Sequence, residues 1–348
     1  MKRLLGILLG LLLVLAPAHA VLADAVLADF GDELGVGARA LAMGGAFVAV
    51  ADDGTAAYWN PAGITQLKVF GLTPSIFLAG DWMDFSMDIG EQWPPNLGNL
   101  DLQLGGMFGV NFSHVGLSLL VFADGWSVYQ DGPSIDMSGG YVEVWAAGMV
   151  TLAAEFTDFL SVGVNLKYIY GQDLYFSGHG IPGDVGSQDG HYSMGEATGY
   201  AADAGVMLKL GKLFRLGAVV QNYGRVDWTD QNYRPDGSES GPPSDTVEEL
   251  TPILHVGLAF QPPVIGTLIA VQADRPLEGG DIKYRIGIEQ SILILKLRAG
   301  AIMEEDFAVD YYTAGLGLKL GPVVLDLAAM ADAGLNLEAA VLTAGFTF

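Results

Sequence analysis

Residues 250–348 alternate apolar and polar side chains in short segments separated by tight turns, and this pattern constrains the fold most strongly. Between Tyr312 and Leu320 every second residue is apolar, and Thr313, two glycines and Lys319 fall between them. Successive side chains of a β-strand point to opposite faces, so each segment predicts a strand with one apolar and one mixed face. About ten tilted residues carry a β-strand across a bilayer, and the pattern therefore predicts an all-β fold, a transmembrane antiparallel β-barrel.

The same alternation recurs from residue 68 to the end of the chain and predicts fourteen strands. Their ranges are 68–79, 102–111, 114–123, 140–155, 159–170, 196–210, 213–222, 250–261, 264–274, 281–290, 292–303, 309–320, 322–331 and 338–348. An even number of strands is typical of single-chain bacterial barrels.

The predicted connections alternate between long loops and tight turns. The long ones are 80–101, 124–139, 171–195 and 223–249, and the tight ones are 112–113, 157–158, 211–212, 262–263, 290–291 and 321–322. Outer-membrane barrels combine long outside loops with short periplasmic turns, so both chain ends are expected in the periplasm. A soluble β-sandwich also alternates polarity and remains the alternative, but it gives no reason for this loop pattern.

The composition is apolar without containing a membrane helix in the mature chain. The chain has 348 residues, 51% hydrophobic and 16% charged, and beyond the first twenty no apolar run reaches the roughly 18 residues that such a helix needs. Lys2 and Arg3 precede an apolar run and the small residues Ala18 and Ala20, which predicts a signal peptide over residues 1–20. Cleavage after Ala23 and an uncleaved N-terminal membrane anchor are the alternatives.

Charged residues within the predicted strands are assigned to the interior, because a charge facing hydrocarbon costs about 2–4 kcal/mol at mid-membrane. These are Lys167, Asp203, Lys209, Arg215, Lys283, Arg285, Glu289, Lys296, Arg298, Lys319 and Asp326. They either pair across the barrel and hold it closed, or form a weakly basic channel wall that accepts an acidic head group.

The predicted outer loops carry clusters of acidic residues and several aromatic side chains. The acids are Asp81, Asp84, Asp88, Glu91, Asp227, Asp230, Asp236, Glu239, Asp245, Glu248, Glu249, Glu304, Glu305 and Asp306. The aromatics are Trp82, Trp93, Trp126, Tyr129, Tyr223 and Trp228. We interpret the acids as solvated charge, with calcium binding as the alternative. We interpret the aromatics as a membrane-interface girdle, with a ligand-catching groove as the alternative.

No pattern for catalysis, a cofactor or a resident metal is present in the sequence. The chain has no cysteine, its five histidines are scattered, and only His179 and His191 share a predicted loop. Neither a G-x-S-x-G elbow nor a phosphate-binding loop occurs. The net charge of −24 argues against nucleic acid as a partner, because phosphate binding needs positive charge. We therefore expect a protein that is not an enzyme and binds no cofactor or metal.

The segment before the first strand carries a distinctive motif. It reads Gly37-Ala38-Arg39-Ala40, Ala42-Met43-Gly44-Gly45-Ala46, Ala51-Asp52-Asp53 and Asn60-Pro61-Ala62-Gly63. A short helix over 38–43 ended by the glycine pair, and a turn over 60–63, are predicted from these residues. The motif resembles the N-terminal region of the FadL-like superfamily of long-chain fatty-acid transporters, and is most similar to its PorV/PorQ-like branch.

The resemblance implies a fourteen-stranded bacterial outer-membrane barrel over residues 68–348, with residues 21–67 folded inside it as a plug, or hatch. Arg39 would pair with an inward carboxylate, and Asn60-Pro61 would end the plug. The implied plug residues are Arg39, Gly44, Gly45, Asp52, Asp53, Asn60 and Pro61. Phe346 and Phe348 resemble the terminal signal that the barrel-assembly machinery reads.

Three functions follow from this interpretation. The first is a channel for passive uptake or export of small hydrophobic or amphipathic solutes. The second is a PorV-like factor that docks or shuttles secreted proteins at the cell surface, and the third is a purely structural envelope barrel. The expected partners are outer-membrane lipid, the barrel-assembly machinery, and either hydrophobic small molecules or a secreted protein cargo.

Overall fold

The structure is a computed structural model, and it describes residues 35–67, 71–80, 100–130, 136–180, 191–233, 243–263 and 266–347. The predicted signal peptide and the loop at 81–99 lie outside the described residues. The side chains of Trp82, Trp93, Trp126, Tyr129, His179, His191 and Phe348 also lie outside them.

Fifteen strands are present in the described residues. They are β1 (Gly71–Ala79), β2 (Leu100–Asn111), β3 (Val115–Gln130), β4 (Asp136–Thr157), β5 (Leu160–Gly180), β6 (His191–Leu210), β7 (Phe214–Tyr233), β8 (Ser244–Glu249), β9 (Ile253–Phe260), β10 (Thr267–Pro276), β11 (Lys283–Ile292), β12 (Leu295–Met303), β13 (Val309–Leu320), β14 (Val323–Asp332) and β15 (Leu337–Thr347). Two short helices, α1 (Ala38–Leu41) and α2 (Ala56–Trp59), and a 3-10 helix (Pro61–Gln66) precede them.

The strands form one closed antiparallel sheet. Apart from β8, which pairs with β7 but not with β9, each strand pairs with its neighbours in sequence, and β1 pairs with β15 to complete the ring. On one side β7 has two partners. Its residues Phe214–Gln221 pair with β9, and its residues Arg225–Asp230 pair with β8, so β8 and β9 together occupy one position of the ring. The wall therefore has fourteen positions, as predicted, and contains one strand that the alternation missed. A single closed sheet also excludes the alternative of two stacked sheets.

The barrel is taller on one side than on the other, which corrects the predicted loops. Strands β3 to β7 contain 16 to 22 residues, whereas β9 to β15 contain 8 to 12. Most of the predicted loops 124–139, 171–195 and 223–249 are strand, and we call this extension the projecting end. Its strands escaped prediction because their outward residues, such as Gln172 and Asp227, are polar there.

The opposite end, the turn end, carries the short connections. The predicted turns at 112–113, 211–212, 262–263 and 321–322 are present, and the one predicted at 157–158 falls at Asp158 and Phe159. The turn predicted at 290–291 lies at Leu293 and Ile294 instead, because β11 continues to Ile292. Leu293 has φ 55 and is 98% exposed.

The two faces of the wall differ sharply in polarity. Outward residues are apolar and exposed, for example Ile76 at 67%, Leu166 at 59% and Leu316 at 52%. Inward residues of the same strands are buried and often polar, such as Ser75, Asn165 and Thr313. A continuous exposed apolar band of this kind is a surface for lipid or protein, not for water. No helix within the described ranges is long and apolar enough to cross a membrane.

Candidate functional site

Residues 35–67, the N-terminal segment, are almost entirely buried. The helix predicted over 38–43 extends over Ala38–Leu41, and Gly44 and Gly45 follow with φ 64 and 72. Positive φ is readily adopted by glycine, so this pair lets the chain reverse direction immediately after the helix. The turn predicted over 60–63 is the start of the 3-10 helix, capped by the Asn60 side chain, which accepts from the N–H of Ala62 at 3.0 Å.

Backbone groups of the segment are hydrogen-bonded to inward side chains of one side of the barrel. The N–H of Ala38 donates to Thr343 Oγ1 at 2.8 Å on β15, and that of Gly44 donates to Thr313 Oγ1 at 3.0 Å on β13. Gln272 Oε1 on β10 accepts from two successive amides, at 3.0 and 2.9 Å. Backbone donors left over by such short helices thus find partners in the wall.

Strands on the other side of the barrel also form hydrogen bonds with the segment, mainly through its carbonyl groups. Asn165 Nδ2 on β5 donates to Ala57 O at 2.8 Å, and Gln221 Nε2 on β7 donates to Tyr58 O at 2.6 Å. Asn60 Nδ2 donates to Val206 O on β6 at 3.2 Å. Contacts with β5, β6, β7, β10, β13 and β15 fix the segment from both sides of the ring.

Inward glycines bring the wall backbone into direct contact with the segment. A Cβ added to any of six inward glycines would collide with atoms of the segment. The pairs are Gly163 with Pro61, Gly205 with Asn60, Gly217 with Val48, Gly287 with Met43, Gly300 with Gly44, and Gly315 with Ala42. Glycine within strands commonly marks such close approach of another backbone. The six strands involved again surround the segment.

Arg39 is the centre of a charge network that joins the segment to the wall. Its guanidinium contacts Asp52 at 2.5 Å within the segment and Glu289 at 2.8 Å on β11. Glu289 also contacts Lys296 and Arg298, each at 2.7 Å, on β12. The network extends from Arg298 to Asp326 at 2.6 Å, from Asp52 to Arg215 at 3.1 Å, and from Arg39 to Asp53 at 3.4 Å. Four carboxylates and four cations therefore meet where the segment contacts the wall, and burying such charges is costly unless they are paired.

A second charged cluster was not predicted from the sequence. Asp274 on β10 contacts Arg285 Nε at 2.5 Å and His255 Nδ1 at 2.7 Å, and it accepts from Gln272 Nε2 at 2.8 Å. Arg285 Nη1 in turn donates to Gly44 O at 3.4 Å. The alternation in β10 places Gln272 and Asp274 on its buried face, and this signal could have identified them.

The remaining predicted interior charges differ in their surroundings. Lys167 contacts Asp203 at 2.8 Å, and Lys209 contacts Glu155 at 3.3 Å near the turn end. Lys283 is partly buried, whereas Lys319 is exposed at the end of β13 and forms no ion pair with another described residue. Each of the following basic residues contacts a carboxylate: Lys167, Lys209, Arg215, Arg285, Lys296 and Arg298. These ion pairs are the arrangement expected if the inward charges hold the barrel closed.

Phe346 lies near the end of β15, opposite Leu72 of β1 and Val323 of β14. Its predicted companion Phe348 lies outside the described residues.

The interior of the projecting end carries two layers of side chains. In the first, Phe122, Trp145, Gly171, Ala197 and Trp228 are neighbours on successive strands β3 to β7. Trp145 and Trp228 contact each other edge-on, with ring centroids 5.2 Å apart. Trp228 therefore faces inward, which corrects its assignment to the membrane girdle, whereas Tyr223 is 72% exposed on the outside.

The second layer, one step farther from the turn end, is acidic. Asp124, Glu143, Asp173, Gly195 and Asp230 are direct neighbours on the same five strands. Burial raises the pKa of Glu143 to about 7, and the neighbouring acids act in the same direction. Burial also raises the pKa of Asp173 and of Asp230. We call these four carboxyl groups the acidic row.

Five acids that were assigned to loops lie on strands instead. Asp227 and Asp230 belong to β7, and Asp245, Glu248 and Glu249 belong to β8. No group of three or more acidic or histidine side chains within the described ranges is arranged to hold a metal ion. Neighbouring strands lie about 4.8 Å apart, so a row across five strands is spread too widely for one ion.

A closed antiparallel barrel of fourteen wall positions with an N-terminal segment bonded to its inward face defines a FadL-like fold. The toluene transporter TbuX of Ralstonia pickettii matches with a TM-score of 0.64 and 15% identity, over 91% of this chain and 99% of that one. The P. putida toluene transporter TodX matches with a TM-score of 0.61 and 13% identity, over 91% and 99%. A Pseudomonas aeruginosa FadL homologue matches with a TM-score of 0.57 and 11% identity, over 87% and 96%.

At these identities the similarity is one of fold. No protein-family model and no curated protein matches the sequence of this chain.

Proposed function

We propose that the protein is a bacterial outer-membrane channel for hydrophobic solutes, closed by its N-terminal segment. The observation that carries the proposal is the bonding of residues 35–67 to inward side chains on both sides of a closed barrel whose outer face is apolar. Two transporters of toluene have the same fold. The projecting end is taken as extracellular and the turn end as periplasmic, following the usual arrangement of such barrels.

The charge network argues for a segment that is held in place but can be released. Besides packing against the inward glycines, the segment contacts the wall through hydrogen bonds and ion pairs, such as those of Arg39 with Glu289 and of Gln272 with two amides. Polar contacts can be exchanged for water when a channel opens, and each contributes about 0.5–3 kcal/mol. We infer that a solute passes when the segment shifts, without entering a permanently open pore.

A reversible cross-link between segment and wall tests this proposal. A Cβ at Gly257 on β9 would lie 3.5 Å from the Cβ of Ala49, which is within the usual range of about 3.5–4.5 Å for a disulfide. It would also lie 2.6 Å from Val48 Cγ1, so the Val48 side chain has to move, and the Gly257→Cys single variant controls for that change. The chain has no cysteine of its own, so Ala49→Cys with Gly257→Cys can form only this bond within the chain. In proteoliposomes, oxidation is expected to abolish uptake of labelled toluene, and a reductant is expected to restore it.

The two single variants, treated with the same oxidant, are the controls and are expected to keep uptake. Uptake that continues through the oxidised double variant would contradict a moving plug. Absence of toluene uptake by the unmodified protein, compared with empty liposomes, would contradict the proposed substrate class.

A surface factor for secreted proteins is the second candidate, and strand β8 favours it. Among the described strands β8 pairs only with β7, and such an edge can accept an extended peptide segment. Residues 244–249 are largely exposed and include Asp245 and Glu249. Co-purification of a secreted protein with the wild type but not with a Thr246→Pro variant would favour this function over transport.

A further inference from the structure

Strand β8 has one edge with which no strand in the described ranges pairs, and we call it the free edge. Along its other edge, Ser244–Glu249 pair with Arg225–Asp230 of β7 without a register shift. Strand β9 pairs with β7 nearer to the turn end, so it does not reach the free edge. The backbone donors and acceptors on the free edge are therefore open to another extended chain.

The space beside the free edge is open because β10 ends before it reaches that height. Pro276, the last residue of β10, pairs with Ile253 at the start of β9, and the N–H of Leu277 donates to Pro252 O at 2.8 Å. All of β8 lies farther toward the projecting end than these residues. Five of its six residues are exposed, so the strand has room for a neighbour.

The free edge presents carboxylates to that space. Asp245, Val247 and Glu249 are two residues apart and share one face of β8, and all three are exposed. The connection that follows Pro276 adds two exposed acids, Glu278 and Asp281. A chain that lies beside β8 therefore meets negative charge both along the strand and on its turn-end side.

The one cation in the pair of β7 and β8 does not neutralise these acids. Arg225 is the direct neighbour of Glu249 but contacts Asp227, at 3.7 Å. The paired stretches contain the carboxylates of Asp227, Asp230, Asp245, Glu248 and Glu249. Charge complementarity thus favours a neighbour that carries lysine or arginine, because opposite charges on adjacent strands stabilise the pair.

The same charges argue against a second copy of this chain as the occupant. Two free edges paired antiparallel about Val247 would place Asp245 of each copy opposite Glu249 of the other. Like charges directly opposite each other destabilise a strand pair. The net charge of −24 adds repulsion between copies at longer range.

We propose that the free edge binds an extended, lysine- or arginine-rich segment of another protein, which joins the sheet as a strand beside β8. The backbone of the segment pairs with β8, and its cationic side chains face Asp245 and Glu249. The proposal rests on the second candidate function, whose edge strand it uses, and gives the chemistry of the partner. It does not depend on transport.

Three fluorescein-labelled heptapeptides separate backbone pairing from charge. The first alternates lysine and threonine, the second alternates glutamate and threonine, and the third is the first with every interior amide N-methylated. Binding to the purified full-length protein in detergent is measured by fluorescence anisotropy at low salt. Only the first is expected to bind, because the second is repelled and the third has lost its backbone donors. Equal binding of the first and third would overturn the proposal, since charge alone would then explain it.

Neutral variants of the free edge provide the second arm. Asp245→Asn with Glu249→Gln is expected to weaken binding of the lysine peptide about tenfold, through the loss of two exposed ion pairs. Glu305→Gln with Asp306→Asn is the matched control, because it removes the same charge from an exposed connection at the projecting end. An equal loss in both variants would contradict a site at β8. Heat-resistant migration on gels shows that each barrel has folded.

A spin label locates the bound peptide. The chain has no cysteine of its own, so Val247→Cys and Leu335→Cys each accept a single nitroxide. Val247 is 59% exposed on β8, and Leu335 is 73% exposed in the connection between β14 and β15. The nitroxide at position 247 is expected to quench the fluorescein of the lysine peptide, and the one at position 335 is not. Equal quenching from the two positions would overturn the proposed location.

The outcomes also separate this proposal from the proposed functions. Absence of binding of the lysine peptide to a protein that takes up toluene would overturn the free-edge site and leave transport standing. Peptide binding by a protein with which no secreted protein co-purifies would support the free-edge site and overturn the second candidate function.

Discussion

Arg39 Nε lies 2.8 Å from Oε2 of Glu289, although 250 residues separate the two in the chain. One belongs to the N-terminal segment and the other to β11, and both side chains are largely buried. Glu289 carries three cations at once, since Lys296 and Arg298 also bind it. The Glu289 carboxylate on β11 therefore binds one cation of the N-terminal segment and two cations of β12.

We predict that Glu289→Gln loosens the segment. The substitution removes the carboxylate that Arg39, Lys296 and Arg298 share. Arg39 keeps Asp52 and Arg298 keeps Asp326, so the cost is expected to be below the roughly 3–5 kcal/mol of a buried pair that is broken completely. The conductance of single proteins in a planar bilayer is expected to rise, and the urea concentration at the midpoint of unfolding is expected to fall. Glu155→Gln is the control, because its pair with Lys209 is partly exposed and such pairs contribute about 0–1 kcal/mol. The same result from both variants would contradict the prediction.

We predict that Gly300→Ala destabilises the contact between β12 and the segment. The added Cβ would lie 2.5 Å from the backbone carbon of Met43 and 2.8 Å from Ile286 O. Backbone atoms cannot yield as a flexible side chain does, so overpacking is expected to cost about 1–3 kcal/mol. Gly148→Ala is the control, because nothing lies within 4 Å of its new Cβ. Unfolding in urea from detergent micelles compares the two variants, and equal stability would disprove the close approach.

We predict that stability falls as the pH rises from 4.5 to about 7. Burial raises the pKa of Glu143 to about 7 from its ordinary 4.5, so in this range the folded protein holds a proton that the unfolded chain releases. The contribution is present below pH 4.5 and is lost above pH 7. Glu143→Gln is expected to raise the melting temperature at pH 8 and to flatten its pH dependence. A wild type that gains stability over this range would refute the assignment.

We predict that Asn60→Ala weakens the end of the segment by about 2 kcal/mol, the sum of a helix cap and a lost buried hydrogen bond. Asn60 accepts from the N–H of Ala62 and donates to Val48 O and Val206 O. Asn336→Ala is the control, since Asn336 lies in an exposed turn and bonds only locally to Asp332. Chemical unfolding of the two variants should differ clearly, and similar midpoints would contradict the role of Asn60.

The barrel was largely predictable because alternation reports the two faces directly. In the predicted strand 159–170 Lys167 was assigned to the interior, and Asn165 on the same face is buried while Leu166 on the other is 59% exposed. Prediction failed at the projecting end, where the outward residues of the strands are polar as well as the inward ones. There Gln172 and Asp173 lie on opposite faces yet are both polar, so period-two alternation disappears.

The network around the segment was predictable only in part. The resemblance implied that Arg39 would meet an inward carboxylate, but nothing in the sequence selects Glu289 among the candidates. Alternation places Gln272 and Asp274 inward, but their contacts with His255 and Arg285 could not be predicted because these join β9, β10 and β11 in space. Register between strands decides such contacts, and alternation within one strand does not reveal it.

The unequal height of the wall makes the projecting end of the barrel asymmetric toward a molecule that approaches it. Strands β3 to β7 extend farther at the projecting end than β10 to β15, which are shorter. A molecule that approaches from the side of β3 to β7 meets the outer surface of these strands. At this end the part of the wall that the structure describes is therefore higher on one side of the ring than on the other.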